Sequence, residues 1–146
     1  MLERLDTIPW SQLKCQVGYA GHVPTAVRDL LSDDLKTVEA AYWRLENHVV
    51  VSGMLYEAAA YLPEILIEAL DLAPHKGDIL ELLFQIGNGY SLENPDELRR
   101  TCYTAVTTGL EQWLARSPEV ESKWREVAVR DLADLRKYSE TPDRKF

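Results

Sequence analysis

The side chains able to do chemistry are spread along this chain and do not gather into a constellation. His22, His48 and His75 lack the i, i+4 spacing that sets two imidazoles on one helix face for zinc. Cys15 and Cys102 are far apart in apolar helical contexts, so both read as reduced, buried structural thiols. "GNGYS", residues 87–91, resembles a glycine-rich phosphate loop, but it follows a helical stretch where that geometry needs a strand. It reads as a helix C-terminal turn. Asp33, Asp34, Asp96 and Glu97 already have a role at helix N-termini, where the macrodipole favours negative charge. With no nucleophile, base and stabilising donor in a recognisable arrangement, the expectation is a non-enzyme with no metal and no cofactor.

Aromatics that fall off the apolar stripes say more, because interfaces concentrate Trp and Tyr inside a polar rim. Trp43 leaves the stripe of its helix, and Glu39 at i−4 and Glu46 at i+3 share its side. Together they make an acidic-aromatic patch, unless a helix buried on two sides takes Trp43 into the core. Glu57 and Tyr61, then Tyr90 and Glu93, are further candidates for partner binding. A net charge of −8 disfavours nucleic acid, since phosphate binding depends on Lys and Arg releasing counterions. The same charge would speed encounter with a basic protein partner, or serve solubility alone.

The elements that must position these residues are helical. Hydrophobic residues are 46% and charged residues 27%, which suits one soluble domain, and no run approaches the roughly 18 apolar residues of a membrane span. "MLERLDTIPW" has acidic residues and no apolar core, which argues against a secretory signal and for a cytoplasmic protein. The expected domain covers residues 1–138, with 139–146 a frayed tail. Trp10, Leu13 and Val17 predict a short helix between Thr7 and Gly18, and Pro24 opens a second carrying Val23, Ala26, Val27, Leu30 and Leu31. Ser32 then caps a third, whose buried stripe is Leu35, Val38, Tyr42, Leu45 and Val49. "HVVVSG" is poor helix material and could be a strand, although nothing nearby offers it a partner. Helical character returns with "MLYEAAA". Pro63 opens a fresh helix to about Leu72, "DILELLFQI" forms one buried on nearly every side, and Gly87 and Gly89 end it. Asn94, Pro95 and Glu97 form a capping box for a helix reaching about Arg116. Ser117 and Pro118 open the last one.

Setting Pro24 over Pro63 aligns "HVPTAVRDLLS" with "YLPEILIEALD" at an offset of 39 residues, and Ser32–Leu35 echoes Ser117–Val120 at 85. Both fit one or two periods near the roughly 40–47 residues of HEAT and armadillo arrays, in which helix pairs stack to share a core. The fold expectation is all-α: a HEAT/armadillo-like stack of antiparallel helix pairs, a short α-solenoid.

"WSQLKCQVGYAGHVP", the following "SDD" and "WRLENHVVVSGMLYEAAAYLP" together resemble a group of small bacterial HEAT-like repeat proteins. In that group a Trp, a Tyr-Gly or Gly-Tyr pair, Val-Pro, Ser-x-Asp and Gly-x-x-Tyr-x-Ala follow in this order. The resemblance covers about residues 7–70 and weakens through "GLEQWLARSPEVESKWREVAV". A His-Gln pair often precedes the glycine of the last phrase in the group; Val51 and Ser52 stand there instead, so no role of that pair is carried over to this chain. The resemblance implies binding and not catalysis, and some members are similar to immunity proteins of bacterial toxin systems. The functional expectation is a protein-binding module that neutralises a basic toxin domain. The alternatives are an adaptor in a regulatory assembly, and a small-ligand binder or enzyme built on carboxylates. Oligomeric state is not legible.

Overall fold

The computed structural model describes residues 2–91 and 95–139, without the side chains of 95, 96, 138 and 139. The chain is mostly helical, with one small two-stranded sheet. Glu93, the expected cap Asn94 and the tail from residue 140 lie outside the described residues.

The first segment departs from expectation. A short α1, Arg4–Thr7, gives way to a 3-10 turn at Trp10–Gln12, and no helix continues to Gly18. The Trp10 indole donates Nε1–H to the Leu5 carbonyl at 2.8 Å, folding the chain back on itself. Gly18 then adopts φ +73°, and Cys15 N–H donates to its carbonyl at 3.0 Å, so residues 14–19 form a tight turn. Val17, expected on a buried stripe, stands at the tip with 77% of its surface exposed.

Helices α2 (Val23–Asp29) and α3 (Leu35–Glu46) form the expected hairpin. The cap moves two residues from Ser32 to Asp34, the last residue with extended backbone before α3. Ser32 Oγ instead accepts the Asp34 N–H at 3.0 Å, and Thr37 donates its hydroxyl to Asp34 Oδ2 at 2.7 Å. Val38, Tyr42, Leu45 and Val49 are buried, but Leu35 is 59% exposed and leaves the predicted stripe.

"HVVVSGML" does find a partner, and it is the next few residues. β1 (Val50–Val51) pairs antiparallel with β2 (Met54–Leu55), with Val51 opposite Met54. Ser52 and Gly53, at φ 51° and 83°, supply the two positive φ values that a type I′ turn demands. The predicted helix at "MLYEAAA" therefore begins as strand and becomes a 3-10 turn at Glu57–Tyr61. Tyr90 adds to the ladder: it accepts Leu55 N–H at 2.6 Å and donates to the Gly53 carbonyl at 2.9 Å. "GNGYS" thus ends a helix and docks on the hairpin.

Helices α4 (Pro63–Leu72), α5 (Gly77–Gly87) and α6 (Pro95–Arg116) lie where proline and glycine punctuation places them. The last helix, α7 (Ser122–Ser139), starts later than Pro118. Arg125 is the reason: its guanidinium donates to the Leu114 and Ser117 carbonyls, at 3.1 and 2.5 Å, holding "SPEVE" as a turn that closes α6.

Consecutive helices pack as α2–α3, α4–α5, α5–α6 and α6–α7, with α5–α6 the most extensive, while α3–α5–α7 and α4–α6 meet in succession. α5 is central, with Ile79, Leu80, Leu82, Leu83 and Ile86 essentially inaccessible, each burial stabilising by about 1.5–3 kcal/mol. Gly109 lets α6 approach α4, since a Cβ there would come within 2.7 Å of Ile67 Cγ1. No helix among the described residues is long and apolar enough to cross a membrane.

Candidate partner-binding surface

The candidate residues fall into two groups. Glu39, Trp43 and Glu46 ride the outer side of α3, and Trp43 is 49% exposed, so it does not belong to the core. Leu35, one turn before Glu39, extends this side with a second exposed apolar group. The Trp43 ring meets Tyr42 edge-on at 5.0 Å, which fixes the indole over a rigid base. Tyr42 in turn faces α5, where the Gln85 amide donates to its hydroxyl at 2.7 Å and to Glu81 Oε1 at 3.2 Å.

Packing of α3, α5 and α7 brings further carboxylates alongside. Burial and then Glu39 raise the Asp78 carboxyl above its ordinary value, although His75 opposes the shift. Burial pushes Asp131 up to about 6; Glu81 and Asp134 add to the shift and Arg130 resists it. Burial and then Glu81 also raise the Tyr42 phenol, with Glu46 and Asp78 contributing. Each of these effects reports carboxylates close enough to feel one another. Among the described residues, none of Glu39, Glu46, Asp78, Glu81, Asp131 and Asp134 is held in an ion pair. Arginine pairs elsewhere: Arg44 with Asp29, Arg116 with Asp71, Arg136 with Glu111. Carboxylates of α3 and α5 therefore lie outside any ion pair on and beside the helix that exposes Leu35 and Trp43.

Sequence reasoning named the α3 residues as candidates and did not name Leu35, Asp78, Glu81, Asp131 or Asp134. Asp78, Glu81 and Gln85 do mark one polar side of α5 by their 3 and 4 spacing. Only tertiary packing turns that side toward α3.

The second group surrounds a cleft of about 420 Å³ beside the hairpin, lined by Glu57 and Tyr61. Glu57 Oε1 accepts the Lys14 backbone N–H at 2.9 Å, and Ala58 N–H donates to the Lys14 carbonyl at 3.1 Å, so the 3-10 turn is pinned to the first loop. Tyr61 is 44% exposed, with its inner edge against the buried Trp10. Tyr90 is committed to the ladder with Gly53 and Leu55, and Glu93 lies outside the described residues.

The histidines are less scattered than their spacing implies. His22 and His48 meet with ring centroids 4.4 Å apart, and His22 Nε2 is buried without a hydrogen-bond partner. Burial, then the His48 and Arg44 charges, hold the His22 pKa below its ordinary 6.5. No group of three or more His, Cys, Asp or Glu side chains among the described residues is arranged to hold a metal ion. Comparison with known proteins finds no matching family model, no matching curated protein and no matching solved structure.

Proposed function

We propose that this chain is a protein-binding module that captures a basic partner on the α3–α5–α7 layer. Glu39 and Glu46 on the helix that exposes Leu35 and Trp43, with Asp78 and Glu81 of α5 alongside and none of the four in an ion pair among the described residues, carry the reading. Charged groups left unpaired on packed helices repel one another, and a partner's Lys and Arg side chains would relieve that repulsion as they bind. Trp43 supplies the large, pre-oriented apolar contact typical of an interface hot spot.

The finer architecture belongs to the same proposal. A short α-solenoid of the HEAT/armadillo kind is supported by the hairpins α2–α3, α4–α5 and α6–α7 and by the contacts of α3 with α5, α5 with α6 and α5 with α7. It is also supported by the two proline-opened helices α2 and α4, which the 39-residue echo aligns. The 85-residue echo gives no such support, because α3 begins at its aligned residue whereas α7 begins two residues later. Within this frame the partner is a basic toxin domain and the chain its cytoplasmic immunity protein, blocking the toxin by covering its active surface.

Co-expression with the toxic products of adjacent genes, followed by co-purification, tests the role. A neighbour that is tolerated and retained by the wild-type chain but not by Trp43→Ala or Glu39→Lys/Glu46→Lys is the expected result. A neighbour retained equally by these variants overturns the surface. Failure of any neighbour to bind overturns the immunity role.

A further inference from the structure

The cleft beside the hairpin has a different chemistry from the α3 surface. One wall is the first loop, with Lys14 and Gln16. A second is the hairpin strand and its exit, with Met54 and Tyr56, and a third joins Tyr61 of the 3-10 turn to Glu97 and Leu98 of α6. At about 420 Å³ it is the size of a small-ligand cleft, open to solvent but walled on three sides.

Its polar groups are only partly used. The Glu57 carboxylate spends Oε1 on the Lys14 backbone N–H, and that bond does not use Oε2. Glu97 is exposed, and no ion pair or hydrogen bond holds its side chain among the described residues. Tyr56 donates its hydroxyl to the Met54 sulfur at 3.3 Å, a weak acceptor that leaves both oxygen lone pairs available. Tyr61 is braced by Trp10 at 6.4 Å between ring centroids. Two tyrosines, a thioether and two carboxylates thus line one recess, opposed by the single ammonium of Lys14.

From this arrangement we infer that the hairpin cleft receives one arginine side chain of the basic partner, its guanidinium against the tyrosine rings and within reach of Glu57 and Glu97. A planar guanidinium stacks on aromatic faces and pairs with carboxylates through a fixed fork of N–H donors, which a compact ammonium cannot match. The anchor belongs to the binding role proposed above and acts apart from the α3 surface. A guanidinium probe therefore tests it without the partner.

The probe is N-acetyl-arginine amide, titrated into the ¹⁵N-labelled full-length chain, with N-acetyl-citrulline amide as the neutral isostere. Saturable shifts at the Tyr56, Tyr61 and Leu98 amides are expected with the arginine probe, and much weaker ones with citrulline. Tyr61→Ala and Glu97→Gln should each weaken binding, the first by roughly two- to five-fold. Lys14→Ala should strengthen it, because that change removes the competing cation and keeps the backbone bonds to Glu57 and Ala58. A merely structural role for Lys14 predicts no gain. Equal response to citrulline, shifts confined to α3, or no shift up to the solubility limit overturns the inference. The capture test with Trp43→Ala is unaffected by any of these three results.

Discussion

Asp131 shows at the level of one residue how the partial burial of a carboxylate costs stability. Its folded pKa of about 6, against an ordinary 3.8, means that the folded chain holds this proton more tightly than the unfolded one. The resulting stabilisation is complete below 3.8 and is lost as pH rises through 6. At neutral pH the ionised group is a burden, so Asp131→Asn should stabilise the protein. The gain is on the order of 1 kcal/mol once solvent screening of a half-exposed group is allowed for. Thermal midpoints should show the variant ahead at pH 7 and the gap closing toward pH 4; equal midpoints at pH 7 would remove the burden. His22 works in the opposite sense. With a folded pKa below 6.5, it contributes stability above that value that is lost as pH falls through the lowered one. In an NMR titration His22 should lose its proton below 6.5, and His48→Gln should move that midpoint upward by removing the second-largest cause. Neither behaviour was legible in the sequence. Asp131 reads there as one more solvated helix carboxylate, and His22 and His48 are 26 residues apart.

Whether an element was legible depended on how local its cause is. Proline fixes φ and lacks an N–H whatever the tertiary context, so the starts of α2, α4 and α6 could be read directly. The first turn, the hairpin and the start of α7 could not. Each is decided by a distant or side-chain partner: the Leu5 carbonyl for Trp10, Tyr90 for the hairpin, and Arg125 for "SPEVE". The hairpin still carried a local signal, since Ser-Gly between apolar residues marks a turn, but reading "MLYEAAA" as helix leaves the strand at "HVVVSG" without a partner. Gly89 shows what docks this hairpin. A Cβ there would lie 2.6 Å from Leu55 Cγ and 2.9 Å from the Gly53 carbonyl oxygen, and the backbone oxygen cannot step aside. Gly89→Ala should therefore cost about 1–3 kcal/mol and loosen the Tyr90 ladder. Gly21→Ala, where a Cβ would find ordinary contact at 3.9 Å from Ser11, is the control and should stay within about 0.5 kcal/mol of wild type. Denaturant unfolding separates the two; comparable losses would mean that the close approach at Gly89 relaxes freely.

For the molecule as a whole, the consequence of the structure is a field with a fixed location. The net charge of −8 says only that the protein is acidic, whereas packing of α3 on α5 sets Asp78 and Glu81 beside the helix that carries Glu39, Trp43 and Glu46. Field strength near a surface falls within a Debye length of about 10 Å at 0.1 M salt, so the indole should report it locally. The four tryptophans make this measurable. Trp113 and Trp10 are buried, and Trp124 is partly covered with the Lys123 ammonium 4.7 Å from its ring, which leaves Trp43 as the tryptophan set in negative surroundings. Caesium, attracted to carboxylates, should quench the emission more effectively than iodide at low ionic strength, and added sodium chloride should narrow the difference. Trp43→Phe should abolish the caesium preference while leaving the unfolding midpoint nearly unchanged, because the side chain lies outside the core. Persistence of the preference in that variant would place the field elsewhere and take the basic partner's docking surface with it. Its loss would instead tie the charge to the aromatic patch, the pairing that lets long-range attraction deliver a partner onto a short-range contact.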